Sequence, residues 1–188
     1  TTLSAKKLYE VVKELPEKNV SFRLKENHWA EISSGKSLFN IMGISPETFP
    51  SFPAFEEEDF ISLESALLRE MVDKTLFAVS TDESRYNLTG VFFKRQGAEE
   101  GKILRMVATD GYRLSLIDRP MKMEIQGLES GILLPKKGLS ELTRLLDEEG
   151  QEVLIKMKNN NFIIKKDNVV LIMRLLDAQF PDYQQVIP

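Results

Sequence analysis

The chain has 188 residues, of which 42% are apolar and 29% are charged, and its net charge is −4. That length suits one or two domains with a packed core, and the negative charge excludes indiscriminate attachment to nucleic acid but not a basic patch on one surface. The lack of cysteine excludes disulfides and thiolate metal sites. It is typical of a reducing compartment, so we expect a cytoplasmic protein without a membrane span.

The two ends of the chain are copies of each other. Residues 1–53 align without a gap to residues 132–184, with twelve identical positions. The identities include Leu8 with Leu139 and Met42 with Met173. A duplicated structural unit is therefore the first feature that any fold prediction must explain.

The first copy predicts a strand, a helix and three further strands. Thr1–Ser4 is a short extended piece, and Leu8, Val11, Val12 and Leu15 then fall on one face at helical spacing. Three extended segments follow, so the copy has the order β-α-β-β-β.

The middle of the chain predicts a third version of the same unit. Phe60–Leu63 is a strand and Glu64–Ser80 a helix. The strands Leu88–Gln96, Lys102–Thr109 and Tyr112–Asp118 complete the order β-α-β-β-β.

The second copy repeats the order of the first. Ile132–Pro135 predicts a strand, and Leu139, Leu142 and Leu146 form the apolar face of a helix. The alternation of Val153, Ile155 and Met157 with polar residues begins a strand, and turns at 159–161 and 167–168 separate it from two more.

These patterns predict an α+β fold of duplicated β-α-β-β-β units, with helices on one face of antiparallel sheets. We expect residues 54–184 to form a complete domain of two halves and residues 1–53 to be half of another domain. A single half leaves part of its sheet uncovered, so we expect it to pack on the complete domain or on a neighbouring molecule. We also expect the chain to be part of a longer protein.

The residues predict no catalytic, metal or cofactor site. The one histidine is His28, and Asp110 is the only acid in a motif-like setting. Asp110-Gly111 between two strands is typical of a hairpin turn, whereas a catalytic acid would need a second polar group nearby. An enzyme acting through Asp110 is therefore the weaker alternative.

Basic residues recur on the helices. Lys6 and Lys13 lie seven residues apart, on one side of the first helix, and Lys137 and Arg144 repeat them. This pattern indicates either a solvated helix face or a surface that attracts a phosphate backbone.

Four motifs closely resemble the bacterial beta sliding clamp family, the processivity subunits of replicative DNA polymerase. They are Val107–Leu114, Ser84–Gly90, Leu134–Gly138 and Phe180–Tyr183. The resemblance implies the DNA-clamp fold, in which three two-half domains form a subunit and two subunits form a ring around duplex DNA. It implies that 1–53 is the second half of the first domain, 54–184 the middle domain and 185–188 the start of a connection to a third.

The resemblance also implies two functional surfaces. A DNA-facing surface would contain Lys6, Arg85, Tyr86, Lys136 and Lys137. A hydrophobic cleft for short linear peptides of polymerase, clamp loader and repair proteins would be lined by Leu88, Thr109, Gly111, Tyr112, Arg113, Leu114, Pro181 and Val186. The other alternative is a duplicated protein-interaction module without a role on DNA.

Overall fold

The computed structural model describes residues 1–187 except 17, 51–59, 98–101, 121–124, 126 and 147–150. The chain divides into two compact units, Thr1–Ala54 (unit 1) and Phe55–Pro188 (unit 2). Among the described residues, no helix is both long enough and apolar enough to cross a bilayer.

The described residues of unit 1 form one α-helix, two short 3₁₀ turns and a three-stranded antiparallel sheet. Helix α1 (Ala5–Val12) begins where the Ser4 hydroxyl accepts the backbone N–H of Lys7 at 3.5 Å. The strands have the order β1-β2-β3 in the sheet. Their bounds are Ser21–Leu24 for β1, Trp29–Ser34 for β2 and Ser37–Met42 for β3.

Unit 2 contains two β-α-β-β-β halves. The first half consists of β4 (Ile61–Glu64), α2 (Ser65–Asp73), β5 (Gly90–Gln96), β6 (Ile103–Thr109) and β7 (Leu114–Pro120). The second half consists of β8 (Ile132–Pro135), α3 (Lys136–Leu145), β9 (Glu152–Lys158), β10 (Asn161–Lys166) and β11 (Val169–Arg174). The predicted α+β fold with duplicated units is thus confirmed.

The two halves of unit 2 exchange their opening strands. The sheets have the orders β7-β6-β5-β8 and β11-β10-β9-β4, so each holds three strands of one half and the first strand of the other. The exchange has the same register on both sides, with Leu134 opposite Val91 and Leu63 opposite Val153. The halves are therefore joined by backbone hydrogen bonds as well as by side-chain packing.

The predicted strand at Thr1–Ser4 is wrong. Only Thr2 is paired, through a single antiparallel bridge to Ile44 in which each residue donates its N–H to the other at 3.0 Å. A strand is stabilised along its length only where a neighbouring strand accepts it. The corresponding strand β8 has that neighbour in β5, which belongs to the other half of unit 2.

The predicted helix Glu64–Ser80 is too long. Helix α2 ends at Asp73, and Leu76–Ala78 form a separate 3₁₀ turn. The buried Thr75 donates its hydroxyl to the carbonyl of Met71 at 2.8 Å, and its backbone has left the helical region. A threonine hydroxyl that bonds the preceding turn competes with helix continuation, which the apolar spacing alone does not reveal.

The core of unit 2 lies where both helices meet both sheets. Leu139, Leu142 and Leu146 are buried, which confirms the predicted apolar face of α3. Phe93 from the first half meets Phe162 from the second edge-on, with 6.2 Å between ring centroids. Edge-to-face aromatic pairs of this kind stabilise a core beyond their buried area.

Candidate functional site

The described part of unit 2 contains a cavity of about 410 Å³ beside the turn from β6 to β7. Its other wall is the 3₁₀ turn Tyr183–Val186 near the end of the chain. The lining residues are Thr109, Gly111, Tyr112, Arg113, Leu114, Pro181, Asp182, Tyr183 and Val186. A pocket of this size and mixed lining is typical of a small ligand or a peptide anchor.

Seven of the eight residues predicted for the cleft line this cavity, and the eighth, Leu88, does not. Leu88 is buried and packs in the apolar cluster that also contains Leu133 and Phe180. Sequence reasoning missed Asp182 and Tyr183, although both belong to the motif that ends at Tyr183. The Asp182 carboxylate accepts the backbone N–H of Gln184 at 3.2 Å and so begins the 3₁₀ turn.

The β6–β7 turn is built around Asp110. One carboxylate oxygen accepts the backbone N–H groups of Tyr112 at 3.0 Å and Arg113 at 3.1 Å, and the other accepts Nε of Arg113 at 3.1 Å. The backbone donors at Tyr112 and Arg113 lower the pKa of Asp110, and the charge of Arg113 acts in the same direction. The Asp110 carboxylate therefore stabilises its own turn. This role removes the enzyme alternative, which depended on Asp110 as a catalytic acid.

Gly111 allows the turn to close. Its φ is +90°, a left-handed conformation that side chains disfavour, and a Cβ there would lie 2.8 Å from Nη1 of Arg85. The Thr109 hydroxyl accepts the N–H of Gly111 at 3.0 Å and donates to the carbonyl of Arg113 at 2.7 Å. Hydrogen bonds within the turn thus fix this wall of the cavity.

The side chains of two arginines link the β6–β7 turn to other parts of unit 2. Arg85 donates Nη1 to the carbonyl of Asp110 at 2.7 Å, and its guanidinium lies 5.8 Å from the ring centroid of Tyr112. Arg113 donates Nη2 to the carbonyl of Phe77 at 2.9 Å. These contacts add planar, charged donors to a loop that otherwise has only short-range bonds.

An aromatic cluster meets the cavity at Tyr183, which belongs to both. Phe92 and Phe180 are stacked with 5.2 Å between centroids, and Tyr183 lies 6.2 Å from both rings in tilted contact. At the rim, Tyr112 is 92% exposed and Val186 is 70% exposed. The cavity thus has one aromatic lining residue that is packed in the cluster and two exposed apolar contacts at its rim, which suits an apolar or aromatic anchor of a partner.

We expect Asp110→Asn to lower the melting temperature at pH 7, with a difference that shrinks as the pH falls below about 4. The folded pKa of Asp110 lies below its ordinary value, so its contribution is fully present above that ordinary value. The contribution declines as the unfolded state takes up a proton near the ordinary pKa, and it is lost once the pH has fallen through the lowered pKa of the folded state. Melting curves from pH 7 to pH 3 measure the effect.

The control for this variant is Asp177→Asn, because no described hydrogen bond involves the exposed Asp177 side chain. We expect this control to melt like the wild type over the whole pH range. A constant gap between Asp110→Asn and wild type down to pH 3 would contradict the assigned role.

Four of the five residues predicted to face DNA lie near one another in unit 2. Arg85 and Tyr86 belong to the 3₁₀ segment Glu83–Leu88, and Lys136 and Lys137 begin α3. The backbone N–H of Lys136 donates to the carbonyl of Thr89 at 3.4 Å, which brings the helix start to the end of that segment. Lys6, the fifth, is exposed on α1 of unit 1.

These basic residues differ in what they already contact. Arg85 donates Nε to the Asp82 carboxylate and Nη1 to the carbonyl of Asp110, so its charge is already paired within unit 2. In the residues that the structure describes, Lys6, Lys136 and Lys137 form no ion pair, although Arg144 on α3 is paired with Glu141 at 2.7 Å. The three lysines are therefore the predicted DNA contacts whose charge no acidic side chain of the described residues neutralises.

The described residues contain no group of three or more histidine, cysteine or acidic side chains placed to hold a metal ion. His28, considered from the sequence, is exposed in the short turn between β1 and β2.

Two family models match the chain. The model for the DNA polymerase III beta subunit, central domain, matches residues 62–182, and the model for its N-terminal domain matches residues 1–53.

Relatives with curated descriptions agree with these matches. Beta sliding clamps of Bacillus subtilis and Halalkalibacterium halodurans are 36% and 35% identical over 187 residues, which is 99% of this chain. The chain spans about half the length of these relatives, 48% in both cases.

Solved structures show the same fold. The chain superimposes on a sliding clamp from Bartonella birtlesii bound to griselimycin with a TM-score of 0.82 and 32% identity, covering 99% of this chain and 50% of that one. For the Bacillus subtilis DNA polymerase sliding clamp the TM-score is 0.77 and the identity 34%, covering 99% and 48%. The family models, the relatives and the fold agree, and the chain belongs to the beta sliding clamp family of DNA polymerase III beta subunits.

Proposed function

We propose that the full-length protein is a DNA polymerase processivity factor, a subunit of a homodimeric ring that encircles duplex DNA. Its cleft would recruit polymerase, clamp loader and repair proteins through short peptide motifs. The observation that carries the proposal is the cavity, because seven residues expected for the peptide cleft line one pocket of a chain that belongs to the clamp family.

The domain assignment is part of the proposal. Residues 1–53 would be the second half of the first clamp domain, 54–184 the complete middle domain, and 185–188 the start of the connection to a third. The match of residues 1–53 and 62–182 to different domain models supports this division. We place the protein in the cytoplasm, with no cofactor and no catalytic step.

The proposed action on DNA depends on topology more than on affinity. A closed ring cannot dissociate sideways from a duplex, so its inner surface needs only a weak, sequence-independent attraction to phosphates. Lys6, Lys136 and Lys137 would provide that attraction. A net charge of −4 is compatible with this role because only the local sign of the inner surface matters.

The proposed action of the cleft is peptide capture by a preformed pocket. Hydrogen bonds around Asp110 hold one wall, and Tyr183 in the other wall packs against the rings of Phe92 and Phe180. A preformed site loses little conformational entropy when a ligand binds. A short peptide with one or two apolar anchors is therefore sufficient for binding.

The experiment that tests the proposal reverses charge at Lys6 and Lys137 in the full-length protein. We expect Lys6→Glu with Lys137→Glu to shorten retention on circular DNA and to reduce the slope of log affinity against log salt by about two per subunit. Gel filtration of protein loaded on nicked circular DNA, over a salt series, measures both quantities.

The control carries the same change of charge elsewhere in the chain, Lys18→Glu with Lys36→Glu, both at exposed positions. We expect this control to be retained like the wild type. Equal retention of both double variants and wild type would contradict the role on DNA and favour the duplicated protein-interaction module.

A further inference from the structure

One wall of the cavity contains a buried tyrosine. Tyr183 is only 7% exposed, and its ring lies against the rings of Phe92 and Phe180. A phenol hydroxyl that is buried needs a hydrogen-bond partner, because burial removes the water that it would otherwise bind. The residue that supplies this partner therefore decides whether Tyr183 stays in the wall.

The sheet β7-β6-β5-β8 brings Arg105 to Tyr183. Arg105 and Val107 lie two residues apart on β6, so their side chains leave the same face of the sheet. Val107 belongs to the buried apolar cluster that also contains Phe180 and Tyr183. Arg105 therefore lies beside this cluster, and its side chain is 15% exposed.

Asp118, the residue opposite Arg105 on β7, holds the guanidinium in one orientation. Nε of Arg105 donates to one carboxylate oxygen at 2.7 Å, and Nη2 donates to the other at 2.6 Å. A bidentate pair fixes the plane of the guanidinium, so its remaining N–H groups point in set directions. Arg105 also hydrogen-bonds the Tyr183 side chain, and its bonds to Asp118 and to Tyr183 both raise the pKa of Arg105.

The position of Asp118 is in turn tied to helix α2. Arg119 donates Nη1 to the backbone carbonyl of Asp118 at 2.8 Å and Nε to the carboxylate of Glu70 on α2 at 2.9 Å. The support of Tyr183 is therefore attached to a strand and a helix of the first half of unit 2. It does not depend on the short 3₁₀ turn to which Tyr183 itself belongs.

We propose that Arg105 is a positioning residue of the cavity, whose hydrogen bond holds the ring of Tyr183 in the wall. Removing Arg105 leaves the Tyr183 hydroxyl among apolar side chains, and the ring then turns outward to reach water. The outward ring takes up part of the cavity and gives up its contacts with Phe92 and Phe180. The effect on the ring is a property of this chain, whereas the effect on peptide binding rests on the proposed function.

The alternative role for Arg105 is that of an ion pair which only joins β6 to β7. Opposite charges that face each other across two strands stabilise a sheet whether or not a third residue is near. The two roles differ in their consequence for Tyr183. Loss of a purely strand-joining pair lowers the stability of the sheet and leaves Tyr183 buried, whereas loss of a positioning residue exposes it.

The first test reads the position of Tyr183 by nitration with tetranitromethane, a reagent for exposed tyrosines. The chain has four tyrosines, and the other three are each at least half exposed: Tyr9, Tyr86 and Tyr112. We expect these three to be nitrated in the wild type and Tyr183 to be protected. In Arg105→Met, which keeps an unbranched side chain, Tyr183 should be nitrated about tenfold faster than in the wild type. Mass spectrometry of proteolytic peptides measures each site separately.

Lys94→Met is the matched control, because Lys94 is the cation opposite Arg105 on β5. We expect it to leave Tyr183 protected. Arg105→Lys is a second variant that keeps the charge beside Asp118 and loses the planar fork. It should expose Tyr183 to nitration at a rate between those of the wild type and Arg105→Met.

The second test is a double-mutant cycle on peptide affinity in the full-length protein. Arg105→Met should weaken the binding of a short peptide with apolar anchors by about tenfold. In a protein that already carries Tyr183→Phe, the same change should leave the affinity almost unaltered, because no hydroxyl then lacks a partner. Fluorescence anisotropy with a labelled peptide measures the four dissociation constants.

Each outcome decides the proposal. If Tyr183 stays protected in Arg105→Met, or if that change weakens peptide binding equally with and without the tyrosine hydroxyl, Arg105 only joins the strands and the proposal is wrong. A wild-type protein that binds no peptide would contradict the proposed function instead, and nitration would still decide the role of Arg105. Melting curves by circular dichroism, with nitration carried out well below the melting temperature of each variant, separate movement of the ring from unfolding.

Discussion

Replacing Phe93 by alanine should lower the free energy of unfolding of unit 2 by about 3–5 kcal/mol. Phe93 is completely buried on β5 and touches Phe162 edge-on across the boundary between the two halves. The variant loses the free energy gained by moving the ring from water into the core. It also leaves a cavity, because the strands on both sides keep the surrounding structure from collapsing into the space. Urea denaturation followed by far-ultraviolet circular dichroism measures the change.

Phe77→Ala is the matched control, since Phe77 is exposed and contacts the guanidinium of Arg113 at 5.6 Å. We expect it to cost about 1 kcal/mol or less, the range of exposed cation–π contacts. Equal costs for the two substitutions would show that the aromatic contact between the halves does not hold the core together.

Introducing a charge at the rim of the cavity should weaken peptide binding by about 10- to 100-fold, since an uncompensated polar group in an apolar contact costs 1–3 kcal/mol. Val186→Asp places that charge in the 3₁₀ turn that forms one wall. Because Val186 is largely exposed in the free chain, the fold should be retained. Fluorescence anisotropy with a labelled short peptide that carries apolar anchors measures the affinity.

Val169→Asp is the control for this experiment, because it makes the same change at another exposed valine that does not line the cavity. We expect it to bind the peptide like the wild type. If Val186→Asp binds with unchanged affinity, the cavity is not the peptide site.

The two predictions concern the two faces of the sheet that contains β5. The core around Phe93 joins the halves of unit 2, and the cluster of Phe92, Phe180 and Tyr183 on the other side of the same sheet meets the cavity at Tyr183. Alternation along β5 separates these roles, since neighbouring residues of a strand point to opposite faces. The adjacent residues Phe92 and Phe93 therefore have separate roles: Phe93 stabilises the core, and Phe92 belongs to the aromatic cluster beside the cavity.

Seven of the residues that line the cavity were expected from the family resemblance, and they lie in two short stretches of the sequence. Thr109–Leu114 form one hairpin turn, and Pro181 and Val186 flank one 3₁₀ turn. The position of Leu88 was not predictable, because its burial depends on Leu133 and Phe180, which come from distant segments. The engagement of Arg85 by Asp82 and Asp110 likewise requires two loops to meet in space.

The repeat, the apolar face of α3 and the hairpin at Asp110-Gly111 can be predicted from short stretches of sequence, because helical spacing, strand alternation and turn chemistry are local properties. The exchange of opening strands between the halves of unit 2 and the end of α2 at Asp73 depend instead on packing between distant segments. Strand exchange depends on backbone hydrogen bonds between residues up to 94 positions apart, such as Ile61 and Ile155, and no local pattern records the partner of a strand. The same reason explains Thr1–Ser4, whose sequence is that of a strand and whose pairing depends on a neighbour elsewhere.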